Sequence, residues 1–207
     1  MNIITISREF GSGGRELGKR IADILGYSYY DREIITAIAA KHDFDERYVE
    51  KVLESGFSFS FPITYGRSFS YTTDATGQQA LELLTTQCKI LKEIAERENC
   101  VIVGRSANII LEDYKPLNLF VYADMDSKIR RCRERAPEEE NLTDAQMKKK
   151  IRQIDAGRAK HQRFLSDLKW GEKEGYHLCI NTSGMEIKKI APAVADFAKK
   201  CFENEVK

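Results

Sequence analysis

Short apolar runs alternate along the chain with longer stretches in which apolar residues recur every three or four positions. The short runs are typical of strands, and the longer stretches have helical periodicity. This alternation predicts an α/β fold with a largely parallel sheet and helices packed against it. About five strands are predicted, at residues 3–7, 28–30, 100–103, 118–122 and 178–180.

Helices are predicted between these strands. In residues 14–25 the apolar positions Leu17, Ile21 and Leu25 lie on one face, and Gly26 is placed to end the helix as a C-cap. Asp31 is a good N-cap for the helix that follows it. Further helices are predicted at residues 32–41, 45–54, 78–98, 127–135, 143–168 and 186–202.

One segment, residues 55–77, has no clean period and is rich in Phe, Ser, Tyr, Thr and Gly. A loop of this length inside a compact domain is usually a lid, a binding segment or disordered. Its aromatic residues are suited to stacking on a base or covering a partner, and an exposed apolar segment would favour a homodimer. The alternating Phe57, Phe59 and Phe61 equally suit a strand that packs one face on the core.

The composition argues against several classes of protein. Lys and Arg number 33 and Asp and Glu 32, for a net charge of +1, which gives no general reason to expect nucleic acid or an anionic membrane as a partner. The apolar runs are too short to span a bilayer, and the N-terminus lacks the basic region of a signal peptide. We therefore expect a cytoplasmic protein. The five cysteines contain no CxxC pair, so a zinc site is not expected.

The most informative segment is a glycine-rich turn between the first strand and the first helix. It contains Gly11, Ser12, Gly13 and Gly14, followed by Arg15. Glycines allow successive backbone N–H groups to point into one concavity, and the helix N-terminus adds its dipole. The turn is thus a predicted phosphate site with Arg15 at the outer phosphates. The alternative is a turn that serves only tight strand–helix packing.

Compared with the P-loop pattern GxxxxGK[ST], the turn keeps the final glycine at Gly14. In this alignment Arg15 replaces the lysine and Glu9 replaces the first glycine. Glu16 replaces the hydroxyl residue that holds magnesium, and a carboxylate is also a suitable ligand for that ion. Glu16 is therefore a candidate for metal binding, although an acid in the first turn is also favoured by the helix dipole alone.

The chain resembles the cytidylate-kinase-like family, a divergent branch of the P-loop nucleoside monophosphate kinases. The resemblance rests first on residues 6–18, Ile-Ser-Arg-Glu-Phe-Gly-Ser-Gly-Gly-Arg-Glu-Leu-Gly. Further matches are Tyr-Tyr-Asp-Arg-Glu at 29–33, Val-Ile-Val-Gly-Arg at 101–105, residues 155–163, and Tyr-His-Leu-Cys-Ile-Asn-Thr at 176–182. They occur in the expected order over nearly the whole chain.

The resemblance implies a three-layer P-loop NTPase-type parallel sheet with helices on both faces, a helical insert and a lid. It implies one domain, 1–207, with an acceptor-binding insert at 32–80 and a lid region at 138–170. The expected activity is transfer of the γ-phosphate of ATP, with Mg²⁺, to a small acceptor such as the nucleoside monophosphate CMP.

The resemblance also implies roles for individual residues. Asp31 would lie in the acceptor site, near the attacking phosphate or its metal, with Arg32 beside it. Arg105 would bind the acceptor, and Arg131 would approach ATP. The lid region would supply Asp155, Arg158 and Arg163, with the two arginines and Arg105 assisting transfer.

Two departures leave the acceptor open. Cytidylate kinases have acids on both sides of the Gly-Arg pair, where this chain has Val103 and Ser106. A kinase of a non-nucleotide small molecule on the same fold, and a nucleotide-binding regulatory protein that has lost catalysis, are the alternatives. A dinucleotide site with the pattern GxGxxG would need glycine at position 16, which is Glu16.

Overall fold

The structure is a computed structural model that describes residues 1–54, 75–135 and 142–204. Its helices and strands alternate along the chain. The strands are β1 Ile3–Arg8, β2 Ser28–Tyr30, β3 Cys100–Val103, β4 Leu117–Tyr122 and β5 Leu178–Asn181. The helices are α1 Gly14–Leu25, α2 Glu33–His42, α3 Glu46–Glu54, α4 Ala75–Arg97, α5 Ala107–Ile110, α6 Met125–Arg135, α7 Asp144–Leu165 and α8 Ile187–Asn204.

The five strands form one parallel sheet in the order β2-β3-β1-β4-β5. Strand β1 lies at the centre, where Ile6 pairs with Val103 of β3 on one side and with Leu119 of β4 on the other. Strand β2 extends the sheet beyond β3, with Tyr30 opposite Ile102. Because the strands are parallel, the segments that follow β1, β2 and β3 all emerge at the same edge of the sheet.

Helices cover both faces of the sheet. Successive residues of a strand point to opposite faces, so each buried strand contributes side chains to both layers. In β1, Ile4 and Ile6 join the core beneath α1 and α8, whereas Ile3 joins the core beneath α2, α4 and α5. A third, smaller cluster around Ile129, Met147 and Ile151 joins α6 to α7. The predicted three-layer arrangement is thus present, and it fixes the ends of β1 to β3 rigidly.

Two local predictions were wrong. The structure has a short helix, α5, directly after the Gly104-Arg105 pair, where none was predicted. Asp31 was predicted to cap α2, but the N-cap is Arg32, and the Asp31 carboxylate is held by arginines. By contrast, Thr143 does cap α7, in a reciprocal capping box with Gln146.

Several predictions fall outside the described residues. The aromatic segment lies largely at 55–74, and the start of the predicted lid region, 138–141, also lies outside the described residues. The cytoplasmic location and the homodimer stay predictions. Within the three described stretches, no helix has both the length and the apolar character needed to cross a membrane.

Candidate active site

The turn between β1 and α1 is shaped by glycines. Gly11 and Gly13 have φ values of 77° and 85°, and Gly13 is the N-cap of α1. A residue with φ near 85° is strained unless it is glycine, and a side chain at Gly13 would also meet Ile187 at 2.6 Å. Because this N-cap carries no side chain, the first-turn amides of α1 receive no side-chain cap and suit an anion.

A cleft of about 260 Å³ opens over this turn, and its lining is strongly cationic. Of the residues that the structure describes, its only acidic lining residue is Glu9, whose carboxylate pairs with Lys128 at 2.6 Å. Positive groups around a helix N-terminus attract a polyanion such as a triphosphate. The cationic side chains are those of Arg8, Arg15, Arg131, Arg135, Lys150 and Arg158.

Arg131 supports the turn from behind. Its buried guanidinium donates hydrogen bonds to the carbonyl oxygens of Ser12, Thr182 and Met185. The Thr182 hydroxyl donates a further bond to the Ser12 carbonyl, at 2.7 Å. Burial lowers the pKa of Arg131, with a further lowering by the charge of Arg130. Arg131 thus ties the turn to the segment that follows β5. It also lines the cleft, and its predicted contact with ATP stays a prediction.

Asp31 lies at the adjoining strand end, where it joins two arginines. Its side chain is only 5% exposed and forms ion pairs with Arg15 and, at 3.6 Å, with Arg8. Arg15 is about half exposed, whereas Arg8 is buried. Burial, followed by the charge of Arg158, lowers the pKa of Arg8 to about 9, while the charge of Asp31 acts to raise it.

A second, smaller cavity of about 40 Å³ lies on the other side of Arg8. Arg105, Gln87, His161 and Trp170 line it, and both Arg8 and Arg158 line this cavity as well as the larger cleft. Gln87 donates a hydrogen bond to the Arg105 carbonyl, and its buried amide oxygen accepts none within the described part of the chain. The two spaces therefore adjoin at a pair of guanidinium groups.

Helix α7 is docked on the turn. The backbone N–H of Phe10 donates to the Asp155 carboxylate at 2.7 Å, and Arg158 donates to the Arg8 carbonyl at 3.0 Å. Lys128 also reaches Asp155, at 3.3 Å. Burial raises the pKa of Asp155, although the hydrogen bond from Phe10 acts to lower it. Asp155 thus holds α7 against the turn, and Arg158 enters the space between the two clefts.

Glu16 and Arg32 line an open groove of about 420 Å³ together with Arg15 and Asp31, whereas Arg163 lies apart from this centre. Glu16 is paired with Arg20 and Arg135 on the surface beside α1. Arg32 is exposed and reaches Glu50 at 3.4 Å. Arg163 lies in a separate groove with Lys160 and Asp167 and lines neither of the two clefts. The separation of Arg163 from Arg158 has a geometric cause, since five residues along a helix turn the side chain by roughly 140°.

The two candidate metal ligands, Asp31 and Glu16, differ in their surroundings. Among the described residues, no group of three or more His, Cys, Asp or Glu side chains is placed to hold a metal. Mg²⁺ needs only one or two carboxylates when nucleotide phosphates complete its shell. Asp31 suits that role, because its Oδ1 is buried without a hydrogen bond. Glu16 suits it less, because arginines donate hydrogen bonds to both of its oxygens, whereas Arg8 approaches Asp31 Oδ1 only to 3.6 Å.

The sequence reasoning missed Arg8, Gln87 and His161. Arg8 is the last residue of β1, and its position directly before the glycine-rich turn was the available signal. Gln87 and His161 lie in helices whose periodicity marks a buried face but does not say which polar residues of that face reach a cavity. Only the packing of α4 and α7 over the sheet edge brings these two residues together.

His161 makes stability depend on pH. Burial, followed by the charge of Arg105, lowers the pKa of its imidazole to about 4. Between pH ~6.5 and ~4 the unfolded chain takes up a proton that the folded protein does not, so the free energy of unfolding falls as pH decreases. We expect a loss of about 2 kcal/mol between pH ~7 and ~5. Urea unfolding of the wild type and His161→Gln measures it, and equal pH slopes would contradict the prediction.

Comparison with known protein families agrees with the resemblance found in the sequence. The family model described as "Cytidylate kinase-like family" matches residues 3–184. The chain belongs to the cytidylate kinase-like family. This confirms the resemblance found in the sequence, and the match includes both the glycine-rich turn and the Gly104-Arg105 pair. Among curated proteins, none matches this chain.

Solved structures similar to this family member have a P-loop kinase fold. An uncharacterized protein from Eubacterium ventriosum ATCC 27560 has 22% identity and a TM-score of 0.69, covering 96% of this chain and 99% of that one. A shikimate kinase from Bacteroides thetaiotaomicron has 16% identity and a TM-score of 0.56, covering 96% and 98%. A gluconokinase from Sinorhizobium meliloti 1021 has 15% identity and a TM-score of 0.55, covering 99% and 95%. The predicted fold class is confirmed.

Proposed function

We propose that this protein is an ATP-dependent phosphotransferase that moves the γ-phosphate of ATP to a small acceptor, which is a nucleoside monophosphate such as CMP. The observation that carries the proposal is that the cleft over the glycine-rich turn and the smaller cavity beside it share two lining residues, Arg8 and Arg158. The larger cleft has a helix N-terminus and six cationic side chains, and the smaller one is lined by Arg105 and Gln87. Arg8 and Arg158 border both.

The proposed roles follow from phosphoryl transfer, which needs alignment of two oxygens and positive charge around the moving group. The amides at Gly11, Ser12, Gly13 and Gly14 bind the phosphates of ATP. Arg15 is half exposed and pairs with Asp31 through Nε, and its terminal guanidinium nitrogens turn to the β- and γ-phosphates. Arg158 lies between donor and acceptor, where a guanidinium binds two phosphate oxygens at once.

Asp31 is the proposed protein ligand of Mg²⁺, which supplies charge neutralisation at the β- and γ-phosphates when bound. Its rigid position at the end of β2 and its two arginine partners orient the carboxylate toward the transfer point. Arg105 is the proposed acceptor-binding arginine, with its guanidinium buried and its carbonyl fixed by Gln87. Asp155 keeps α7 and thereby Arg158 in place.

A non-nucleotide acceptor is the second candidate. The observation that favours it is the small size of the acceptor-side cavity, about 40 Å³ among the described residues. Val103 and Ser106 also stand where cytidylate kinases have acids, and two of the similar structures are described as a shikimate kinase and a gluconokinase. A small anionic hydroxy compound would match the arginine lining.

The test is ADP release from ATP and Mg²⁺ with a panel of acceptors: CMP, dCMP, UMP, AMP, shikimate and gluconate. We expect turnover to rise at least about tenfold over the acceptor-free rate with CMP or dCMP, because acceptor alignment is most of what the enzyme contributes. Arg158→Ala should remove this stimulation, and the exposed Arg97→Ala is the matched control. Stimulation only by the non-nucleotide acceptors would select the second candidate. Nucleotide binding without turnover under any acceptor would contradict both.

A further inference from the structure

The backbone places the P-loop pattern in a different register from the one suggested by the sequence alone. The glycine that turns the chain into α1 is Gly13, with φ 85°, and Gly14 is already the first helical residue. In GxxxxGK[ST] the final glycine directly precedes the lysine at the start of the helix. With Gly13 as that glycine, the lysine position falls on Gly14, and the position of the first glycine falls on Arg8.

The side chain of Arg8 occupies the space that a lysine at position 14 would need. A Cβ added to Gly14 would lie 2.6 Å from the Arg8 Cβ and 3.1 Å from its Cγ. At its other end, the Arg8 guanidinium lies over Gly104, where an added Cβ would be 1.6 Å from Nη1. The absence of side chains at Gly14 and Gly104 thus leaves room for the side chain of Arg8. Its stem crosses the start of α1, and its charge lies at the sheet edge.

The surroundings of the Arg8 guanidinium suit a phosphate. Arg15, Arg105 and Arg158 all lie near enough to lower its pKa, and Asp31 is the group that raises it. Asp31 is shared between Arg8 and Arg15. Asp155 pairs with Arg158 at 3.6 Å, and Glu50 pairs with Arg105 at 3.9 Å. Three carboxylates therefore face four guanidiniums, which leaves one positive charge in excess. An anion between the two clefts would supply the missing negative charge, and Arg8 borders both clefts.

We propose that Arg8 takes the place of the P-loop lysine, reaching the terminal phosphate of ATP from the end of β1 across the glycine at position 14. This inference rests on the proposed function, since it assigns the cation of the same ATP site. It differs from the role of Arg15, which approaches from the helix side and is half exposed. The positive charge that the P-loop lysine supplies from the C-terminal end of the loop would here come from Arg8, at the N-terminal end.

The experiment compares binding of Mg²⁺ with ADP and with a non-hydrolysable ATP analogue by calorimetry. Arg8→Met keeps the stem beside Gly14 and removes the charge, whereas Arg8→Lys keeps the charge. For Arg8→Met we expect the ATP analogue to bind about 10- to 100-fold more weakly, which is the value of a charge-assisted hydrogen bond. ADP should change by less than about threefold, because only the terminal phosphate loses its partner. Arg8→Lys should lie between Arg8→Met and the wild type.

Moving the positive charge from position 8 to position 14 distinguishes the effect of the Arg8 charge on the phosphate from its effect on the stability of the turn. Gly14→Lys alone should bind the ATP analogue poorly, because its side chain meets the Arg8 stem. The double variant Arg8→Gly with Gly14→Lys restores the ordinary pattern GxxxxGK and should recover preference for the ATP analogue over ADP. In the double variant the nearest remaining neighbour of the new Cβ is Val121, at 3.3 Å. Arg97→Ala is the control for loss of an arginine elsewhere.

The outcomes separate this inference from the function on which it rests. If the wild type binds neither nucleotide, the proposed function fails, and the inference fails with it. If the wild type binds both but Arg8→Met weakens them equally or not at all, the role of Arg8 is overturned and the ATP site stands. Thermal melting of each variant checks that it is folded, and Arg8→Lys keeps the test decisive if Arg8→Met does not fold.

Discussion

Asp31→Asn is expected to unfold at a markedly lower denaturant concentration than the wild type and to lose at least about 100-fold in turnover. The substitution leaves the side chain's shape intact but removes the negative charge that partners Arg8, whose side chain is 9% exposed. Removing one partner of a buried ion pair costs about 3 kcal/mol, because the other charge stays buried without compensation. The exposed partner, Arg15, adds little to this cost.

The matched control is Asp23→Asn on the outer face of α1. Asp23 pairs with Lys19 at 3.0 Å, four residues apart, and both side chains are about 60% exposed. A surface pair of this kind contributes about 0.3–0.5 kcal/mol, so its removal should barely move the unfolding midpoint. Chemical denaturation and the ADP-release assay measure both variants. Equal stability of Asp31→Asn and Asp23→Asn would show that the pairing of Asp31 with Arg8 is not a buried ion pair in solution.

A double variant gives a further check. Combining Asp31→Asn with Arg8→Met removes both charges, so the stability lost by Asp31→Asn alone should be partly regained. Turnover should not recover, because both proposed contacts to the phosphates and metal are absent. Recovery of stability without recovery of turnover would separate the structural effect of the pair from its chemical role.

The centre of the sheet was predictable because β1 and β3 are buried on both faces. Cys100–Val103 is wholly apolar, and β1 is buried along its whole length, so position in the centre of a covered parallel sheet follows directly. Helix α1 was equally clear, since Leu17 and Ile21 lie on one face and Gly26 ends the helix in a left-handed conformation. Burial and local backbone preference agree in these elements.

The composition of the site was predictable only in part, because strand order decides which ends meet. Strand β2 lies beside β3 with Tyr30 opposite Ile102, and this pairing brings Asp31 to the sheet edge where it meets Arg8. The centre of the site also depends on contacts between distant segments, such as Asp155 with the backbone of Phe10. A single sequence carries the residue types but not these pairings. The assignment of Asp31 as a plain N-cap failed for the same reason.

The proposed role of Arg8 depends on the register in which the P-loop pattern is aligned. Both Gly13 and Gly14 match the last glycine of the P-loop pattern, and composition does not choose between them. The backbone does, because only Gly13 has a left-handed φ. When the alignment moves by one residue, Arg15 no longer occupies the lysine position. The cation proposed for that role is then the buried Arg8 and not the half-exposed Arg15.

Gly104→Ala is expected to reduce turnover about as much as Arg8→Met does, by displacing the Arg8 guanidinium. An added methyl group at Gly104 would lie 1.6 Å from Nη1 of Arg8, so the guanidinium must move away from Asp31. The backbone adds a second cost, because φ is 78° and alanine is strained there by about 1 kcal/mol. We therefore expect a total loss of roughly 2–4 kcal/mol in stability.

Gly26→Ala separates these two costs. Gly26 has nearly the same backbone conformation, with φ 68°, but an added Cβ there meets nothing within 4 Å. It should lose only the strain of about 1 kcal/mol and keep full turnover. Thermal or urea unfolding and the ADP-release assay compare the two. If Gly104→Ala matches Gly26→Ala in both measurements, the added methyl group does not reach Arg8.

A second substitution tests why Gly104→Ala should cost more stability than Gly26→Ala. In an Arg8→Ala background, the methyl group added at position 104 has no guanidinium to displace. Gly104→Ala should then cost only the backbone strain, and the two substitutions together should cost less than the sum of each alone. Because non-additivity of this kind is expected between groups in direct contact, it would support the position of the Arg8 guanidinium over Gly104 in solution. Simple additivity would instead mean that Gly104 is required for its backbone conformation alone.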